Sequence, residues 1–415
     1  MRRSLIATVA ALAAALSLST VPAAATTGDL DPRELQQSSD AVHAAGMYGF
    51  YSQARAGHER WSGASGVADV QTRRPVRPGM PHRIGSITKT FVSVAILQQV
   101  ERGRIDLDAP VARYLPGLIP GERGDKVTVR MLLNHTSGIG DHIAGIFPSL
   151  LEGSPKSLDD NRFRTFTSAE LVRHGLAAPS PGAPGSQPGS YSNTNYVIAG
   201  LVLQKVTRMP VEDYITRYVI RRAGLRETAF PRSPYIRGEH SKAYENMYGL
   251  IDPPKDYSVY DMSWAGVAGN LVSTMDDLNT FYRALLRGKL VGGASLAEMR
   301  RTVKISVGGF VMDYGLGLYP LELPCGRFWG HDGGVFGMGT QSLISEDGRR
   351  ELSFGMNLMK YQRFDENGQM LPNDIDPAVF RFLMTAACGG TAAPSLKAAP
   401  SIPLLPTSRS LAGIR

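Results

Sequence analysis

The sequence predicts an α+β fold: an antiparallel sheet flanked by helices, beside a mostly helical second region. Three observations carry this reading. Met47–Gly57 and His58–Gly63 read as two strands of a hairpin that turns near Gly57. From Tyr314 to Asn357, alternating apolar segments broken by glycines read as adjacent antiparallel strands. Between these stretches, residues from about 106 to 270 are loop-rich, with several helical segments and few clear strands. The sheet part is therefore expected from about 26–105 and 271–388, and the helical part from about 106–270.

Taken in order, the chain opens on Arg2-Arg3, an apolar stretch from Leu5 to Leu18, Pro22 and Ala23-Ala24-Ala25. This pattern predicts an export signal over residues 1–25, cleaved near Ala25, and a secreted or extracytoplasmic protein. The apolar stretch is short for a membrane span and no later run reaches the required length, so no stable membrane anchor is expected. Residues 26–45 read as a short helix containing Leu35, Val42 and Ala45. After the hairpin, a Pro/Arg-rich connection from Arg73 to His82 leads to Gly85-Ser86-Ile87-Thr88-Lys89. Phe91, Val94, Ala95, Leu97 and Val100 then recur at roughly helical spacing, which places Ser86 in the first turn of a buried helix with Lys89 one turn further along.

A Pro/Gly/Ser loop, Pro179 to Gly189, precedes a helical run from Tyr196 to Val206. Past Gly269-Asn270, Ser273 or Thr274 caps a helix whose first turn carries Asp276 and Asp277. Residues 375–388 should form a closing helix. The tail, 389–415, is rich in Ala, Pro, Ser and Leu and has no acid, a composition that predicts a disordered segment open to removal.

The formal charge is +8, but Arg2 and Arg3 in the leader and Lys397, Arg409 and Arg415 in the tail supply five of these charges. The body is left with +3, too little for a nucleic-acid-binding patch. The eight histidines are scattered, without His-Glu-x-x-His or a Cys/His cluster, so no metal or other cofactor is implied. Cys325 and Cys388 are the only cysteines. In an exported chain they suggest one disulfide; two buried free thiols are the alternative.

Three short motifs carry the chemistry. A buried lysine at Ser86-x-x-Lys89 can take the serine proton if its surroundings lower its pKa, and the helix N-terminus offers N–H groups to a developing oxyanion. The plainer reading of the pair is a capping serine and a solvated lysine. Tyr191-Ser192-Asn193 sits between loop and helix, where a tyrosine and an amide can project into a cleft; Tyr244-Glu245-Asn246 has the same spacing but lacks that context. In Gly330-His331-Asp332-Gly333-Gly334, the glycines allow close approach to an edge strand, and His331 either sets a polar or cationic group beside the lysine or lies in a surface turn. The stretch lacks the Gly-Lys-Ser/Thr ending of a phosphate loop, and the chain has no Gly-x-Ser-x-Gly elbow.

In this order and separation, Ser86-x-x-Lys89, Tyr191-x-Asn193 and His331-x-Gly333 resemble the three motifs of the penicillin-recognising serine hydrolases, a superfamily that includes class C β-lactamases, DD-peptidases and esterases. Flanking stretches strengthen the resemblance: Ile105–Asp108, Leu132–Gly138, Gly269–Thr274 and Tyr314–Leu318. It covers residues 30–388 and implies a β-lactamase/transpeptidase-like fold with the active site between the sheet part and the helical part. Histidine in the third motif and the placement of Cys325 and Cys388 look most like secreted bacterial D-alanyl-D-alanine carboxypeptidases. The resemblance makes Ser86 the acylated nucleophile, Lys89 its proton acceptor and Tyr191 the proton shuttle to the leaving group. Asn193, His331, Asp332, Gly333 and Gly334 would bind substrate, with the N–H groups of Ser86 and Gly334 as the oxyanion hole. Trp264 matches an aromatic lining the cleft; a core tryptophan is the alternative.

The implied substrates are small peptides, amides, esters or β-lactams, peptidoglycan included, handled by a monomer without cofactor. The chain departs from the carboxypeptidases at Asp332 and Gly334, where they carry hydroxyl residues, and near Tyr319, where they can carry an arginine. An ionised Asp332 facing the cleft would repel a substrate carboxylate. Amides, esters and N-terminal D-residues are therefore live substrates, and a non-catalytic β-lactam- or peptidoglycan-binding module is the reading from another class.

Overall fold

The computed structural model describes residues 30–367 and 369–389; the export signal predicted over residues 1–25, and the predicted tail from residue 390 on, lie outside the described residues. The first helix, α1 (Pro32–Ala44), starts where the side chain of Asp31 accepts from the N–H groups of Arg33 and Glu34 and Pro32 fills the first helical position. Strands β1 (Gly49–Ala56) and β2 (Glu59–Asp69) form the expected hairpin around Gly57. β2 runs well past Gly63, where the sequence suggests an end. The glycine makes room for a neighbouring indole: a Cβ there would sit 2.2 Å from the Trp61 ring. Pairing continues to Gly66, which faces Gly49.

The remaining strands of the main sheet are β3 (Arg74–Pro75) and, near the end of the chain, β4 (Tyr319–Leu323), β5 (Gly326–Val335), β6 (Met338–Ser345) and β7 (Arg350–Met356). Their order is β4-β5-β6-β7-β1-β2-β3, antiparallel throughout, so the late strands and the early hairpin are joined by β7 lying against β1. Side-chain alternation divides this sheet between two apolar clusters. Phe50, Phe328, Leu343 and Phe354 pack under α1 and the closing helix α5 (Ile375–Cys388). Their neighbours Tyr51, Trp329 and Ile344 face the other way, towards α2 (Thr88–Glu101) and α4 (Met275–Leu286).

Helix α2 is buried on all sides from Thr88 to Gln99, the signature of a central helix rather than a surface one. Its cluster continues without a break into the 106–270 region, through Leu132, Leu133, Val197 and Leu203. Thr274 is the residue that caps α4, accepting from the Asp277 N–H at 3.3 Å. Helix α3 (Asn193–Thr207) begins three residues before Tyr196. Among the described residues no helix is long and apolar enough to cross a membrane.

Cys325, in the β4–β5 turn, and Cys388, the last residue of α5, form a disulfide with Cα atoms 5.4 Å apart and 63 residues of sequence separation. Closing a loop of that size stabilises the fold by about 4 kcal/mol in the chain-entropy account. Reduction, or the double replacement Cys325→Ala/Cys388→Ala, should therefore lower the urea midpoint of unfolding while the native far-ultraviolet dichroism persists in buffer; an unmoved midpoint would show that the closure contributes nothing.

Candidate active site

Ser86 lies in a 3-10 turn, Gly85–Ile87, that runs directly into α2, one turn earlier than the helical spacing suggests. Gly85 has φ 53°, a left-handed value that suits glycine. Lys89 falls in the first turn of α2 and is fully buried. Its Nζ donates to Ser86 Oγ at 3.0 Å, to Asn193 Oδ1 at 2.7 Å and to the carbonyl of Ala268 at 2.9 Å. Burial pulls the Lys89 pKa down to about 7, against the opposing pull of the Asp141 and Asp332 carboxylates. Near neutral pH a large fraction of this amine is uncharged. Two of its acceptors are carbonyl oxygens, which can only accept, so they take the two remaining N–H bonds and the lone pair is left facing Ser86.

The Asn193 amide is oriented from behind. Its Nδ2 donates to Asp141 Oδ2 at 2.8 Å and its backbone N–H to the same oxygen at 3.2 Å, which turns Oδ1 towards Lys89. Tyr191 enters between a short strand, Gly189–Ser190, and α3; its N–H donates to Ser306 O at 3.1 Å. Lys89 Nζ sits 4.8 Å from the centre of the Tyr191 ring. Tyr244 is elsewhere: its hydroxyl accepts from the Val70 N–H, and its ring packs on Tyr48 within the cluster beneath α1 and α5.

His331 and Asp332 correct the sequence reading. His331 lies within β5, fully buried, and not in a surface turn. Its Nδ1 faces the Asp332 carbonyl and its Nε2 the Tyr314 hydroxyl at 2.8 Å. A carbonyl cannot donate, so Nδ1–H donates to it and Nε2 accepts from the Tyr314 O–H. Burial, with Lys89 nearby, pulls the imidazole pKa down to about 3, so His331 is a neutral group and not a cation beside the lysine. The Asp332 carboxylate does not face an open cleft. It is fully buried and accepts from the Tyr319 hydroxyl at 3.1 Å.

Gly333 and Gly334 run against the turn that carries Ser86. A Cβ at 333 would stand 1.9 Å from Ile84 O and 2.9 Å from Ser86 N, and one at 85 would stand 2.7 Å from Gly334 N. Only bare backbone fits here, and the fit brings the peptide groups of Ser86 and Gly334 together. β4 pairs with β5 only as far as Gly330, so beyond that point β5 offers an edge on one side. Trp264 is a packed residue, 6% exposed, with its ring against Phe147, Tyr260 and Phe336; its carbonyl accepts from His142 Nε2 at 2.9 Å.

Three residues without an assigned role complete the surroundings. The His135 ring lies 4.2 Å from that of Tyr191 and 4.9 Å from that of Tyr314, and its Nδ1 accepts from the Ser192 N–H. Burial, Lys89 and His331 hold it neutral, with its pKa well below the usual range. His135 and Tyr314 fall in flanking stretches that the sequence marks out. Asp141 falls in none.

Comparison with known proteins finds similar chains. A D-stereospecific amidohydrolase from Streptomyces sp. is 35% identical, with 87% of this chain and all of that chain covered at a TM-score of 0.74. The D-amino acid amidase of Ochrobactrum anthropi SV3, at 24% identity, shares the fold over 85% of this chain and 97% of its own, with a TM-score of 0.72. Penicillin-binding protein 4* of Bacillus subtilis is 28% identical over 308 residues, and esterase EstB of Burkholderia gladioli 33% over 184. These matches cover 70% and 43% of this chain, and the chain spans only 64% and 45% of the lengths of those two relatives. Residues 33–361 match the Beta-lactamase family model, and with that match over most of its length the chain belongs to the beta-lactamase family.

Proposed function

We propose that the protein is an exported serine hydrolase that forms an acyl-enzyme on Ser86 and acts on amides and peptides of D-amino acids. One observation carries the reading: a buried lysine with a pKa of about 7 keeps its lone pair on the Ser86 hydroxyl because two carbonyls occupy its other valences. In the forward step Lys89 takes the Ser86 proton as Oγ attacks the substrate carbonyl. The N–H groups of Ser86 and Gly334 receive the negative charge that develops on the carbonyl oxygen. Tyr191, whose ring lies beside the Lys89 ammonium, passes the proton to the departing amine, and water then cleaves the ester by the reverse path.

The preference for amides comes from positions 332 and 334. Neither carries a hydroxyl, and the one polar side chain there, Asp332, is turned inward onto Tyr319. The likeness to the Streptomyces amidohydrolase supports the same choice. D-Alanyl-D-alanine carboxypeptidase is the second reading, favoured by the third motif, His331-x-Gly333, and by the likeness to penicillin-binding protein 4*.

The test compares ammonia release from D- and L-phenylalaninamide with D-alanine release from diacetyl-L-lysyl-D-alanyl-D-alanine. The D-amide should be used about tenfold or more faster than the L-amide and in preference to the tripeptide. Preference for the tripeptide would hand the protein to the carboxypeptidase reading. Retention of either activity in Ser86→Ala would remove Ser86 as nucleophile.

A further inference from the structure

We propose that Asp141 is a positioning residue whose carboxylate holds the Asn193 amide in the one orientation that leaves the Lys89 lone pair on Ser86. The inference rests on the Ser86–Lys89 reading above. The two ends of an amide have nearly the same shape, so hydrogen bonding alone decides which end faces Lys89. Asp141 Oδ2 accepts from both Asn193 Nδ2 and the Asn193 N–H, while its Oδ1 accepts from the Ile143 N–H at 3.1 Å. Turning the amide over would set its oxygen against this carboxylate and its N–H groups against Lys89. A flipped Nδ2–H would then donate to the lone pair of the neutral amine, and the base would be lost.

The carboxylate also acts by charge. The titratable groups around Lys89 are Asp141 and Asp332, which raise its pKa, the imidazoles of His135, His142 and His331, and the phenols Tyr191 and Tyr196, whose ring centres lie 4.8 and 5.6 Å from its Nζ. Burial holds all three histidines below their usual range. The two carboxylates are thus the charges that keep a proton on Lys89. Asp141, with a side chain 24% exposed, is the one that water reaches.

The experiment follows the acylation burst with p-nitrophenyl acetate against pH in the full-length protein. The variants are Asp141→Asn, Asp141→Ala, Asn193→Ala, the Asp141→Ala/Asn193→Ala pair, and Lys89→Ala as a reference. In the unaltered protein the burst rate should rise with pH through about 7 as Lys89 loses its proton. Both Asp141 variants should move that acid limb to lower pH, because the charge that favours protonated Lys89 is gone. Asp141→Asn keeps a carbonyl for Asn193 and should retain most of the plateau rate, whereas Asp141→Ala should lose about ten- to a hundredfold. In the Asn193→Ala background, where there is no amide to orient, removing Asp141 should cost less than about threefold more.

An acid limb that stays in place in both variants, or losses that simply add in the pair, would overturn the proposal in favour of a structural role. Should Asp141→Ala fail to fold, the limb of Asp141→Asn decides alone. The two readings fail differently. If the unaltered protein gives no burst, or Lys89→Ala keeps the limb, the Ser86–Lys89 reading falls and takes this one with it. If those controls behave and the Asp141 variants do not respond, this inference alone falls.

Discussion

Lys89→Ala is expected to abolish acylation of Ser86, by about a thousandfold or more, while leaving the fold in place. The expected chemical loss is this large because among the described residues no other amine donates to Ser86 Oγ; Lys89 Nζ, at 3.0 Å, is the base in the mechanism proposed above. The structural loss is partial. Truncation leaves the acceptors Asn193 Oδ1 and Ala268 O without their donor, which costs about 1–3 kcal/mol for a buried polar group. It also removes the cost of desolvating an ammonium, which offsets part of that. Intact mass after exposure to benzylpenicillin or a nitrophenyl ester reads the first effect, and far-ultraviolet dichroism the second. An acylation rate equal to that of the unaltered protein would take Lys89 out of the mechanism.

Gly333→Ala, the second large effect, adds a single methyl group and should cost about a hundredfold in acylation. The new Cβ would fall 1.9 Å from the Ile84 carbonyl oxygen, a backbone atom with no rotamer to yield, so β5 or the Ser86 turn must retreat by an ångström or more. Displacement of that size between a nucleophile and its oxyanion donors is worth about two orders of magnitude in rate. The thermal midpoint should fall too, since the strand and the turn both belong to the core. Gly293→Ala provides the contrast: nothing lies within 4 Å of a Cβ there, and the variant should behave as the parent does. Unimpaired acylation in Gly333→Ala would mean that the close backbone contact is not part of the site.

Most of the fold was legible because it rests on local patterns. The hairpin, the glycine-broken strands and the apolar period of α2 each lie within a short window of sequence. The misreadings share a cause. Gly63 looks like the end of a strand, but it is a seat for the Trp61 ring, a packing fact invisible to spacing. The start of α3 at Asn193 depends on a carboxylate 52 residues upstream. For the site, motif spacing marks Ser86, Lys89 and the two glycines, and loop–helix context singles out Tyr191 over Tyr244, but neither gives the charge on His331. That charge follows from burial and from a carbonyl at its Nδ1, both set by tertiary contacts. The inward turn of Asp332 has the same origin. Strand alternation alone puts His331 and Asp332 on opposite faces without saying what each face meets. Asp141 carries no signal of its own, since its role exists only once Asn193 has been brought beside it.

The division of the sheet into two faces also governs how the protein tolerates being held. Helices α1 and α5, the first and last described, share the face opposite α2. The Leu30 N–H donates to Glu59 at the start of β2, and Cys388 is bonded to Cys325 at the start of β5. From there to Gly334, β5 runs about 26 Å along the strand at roughly 3.3 Å per residue. Both ends of the described chain, at Leu30 and Gly389, thus lie on the far side and at the far end of the sheet from Ser86. A partner or support joined directly at either of these two positions would therefore sit away from Ser86.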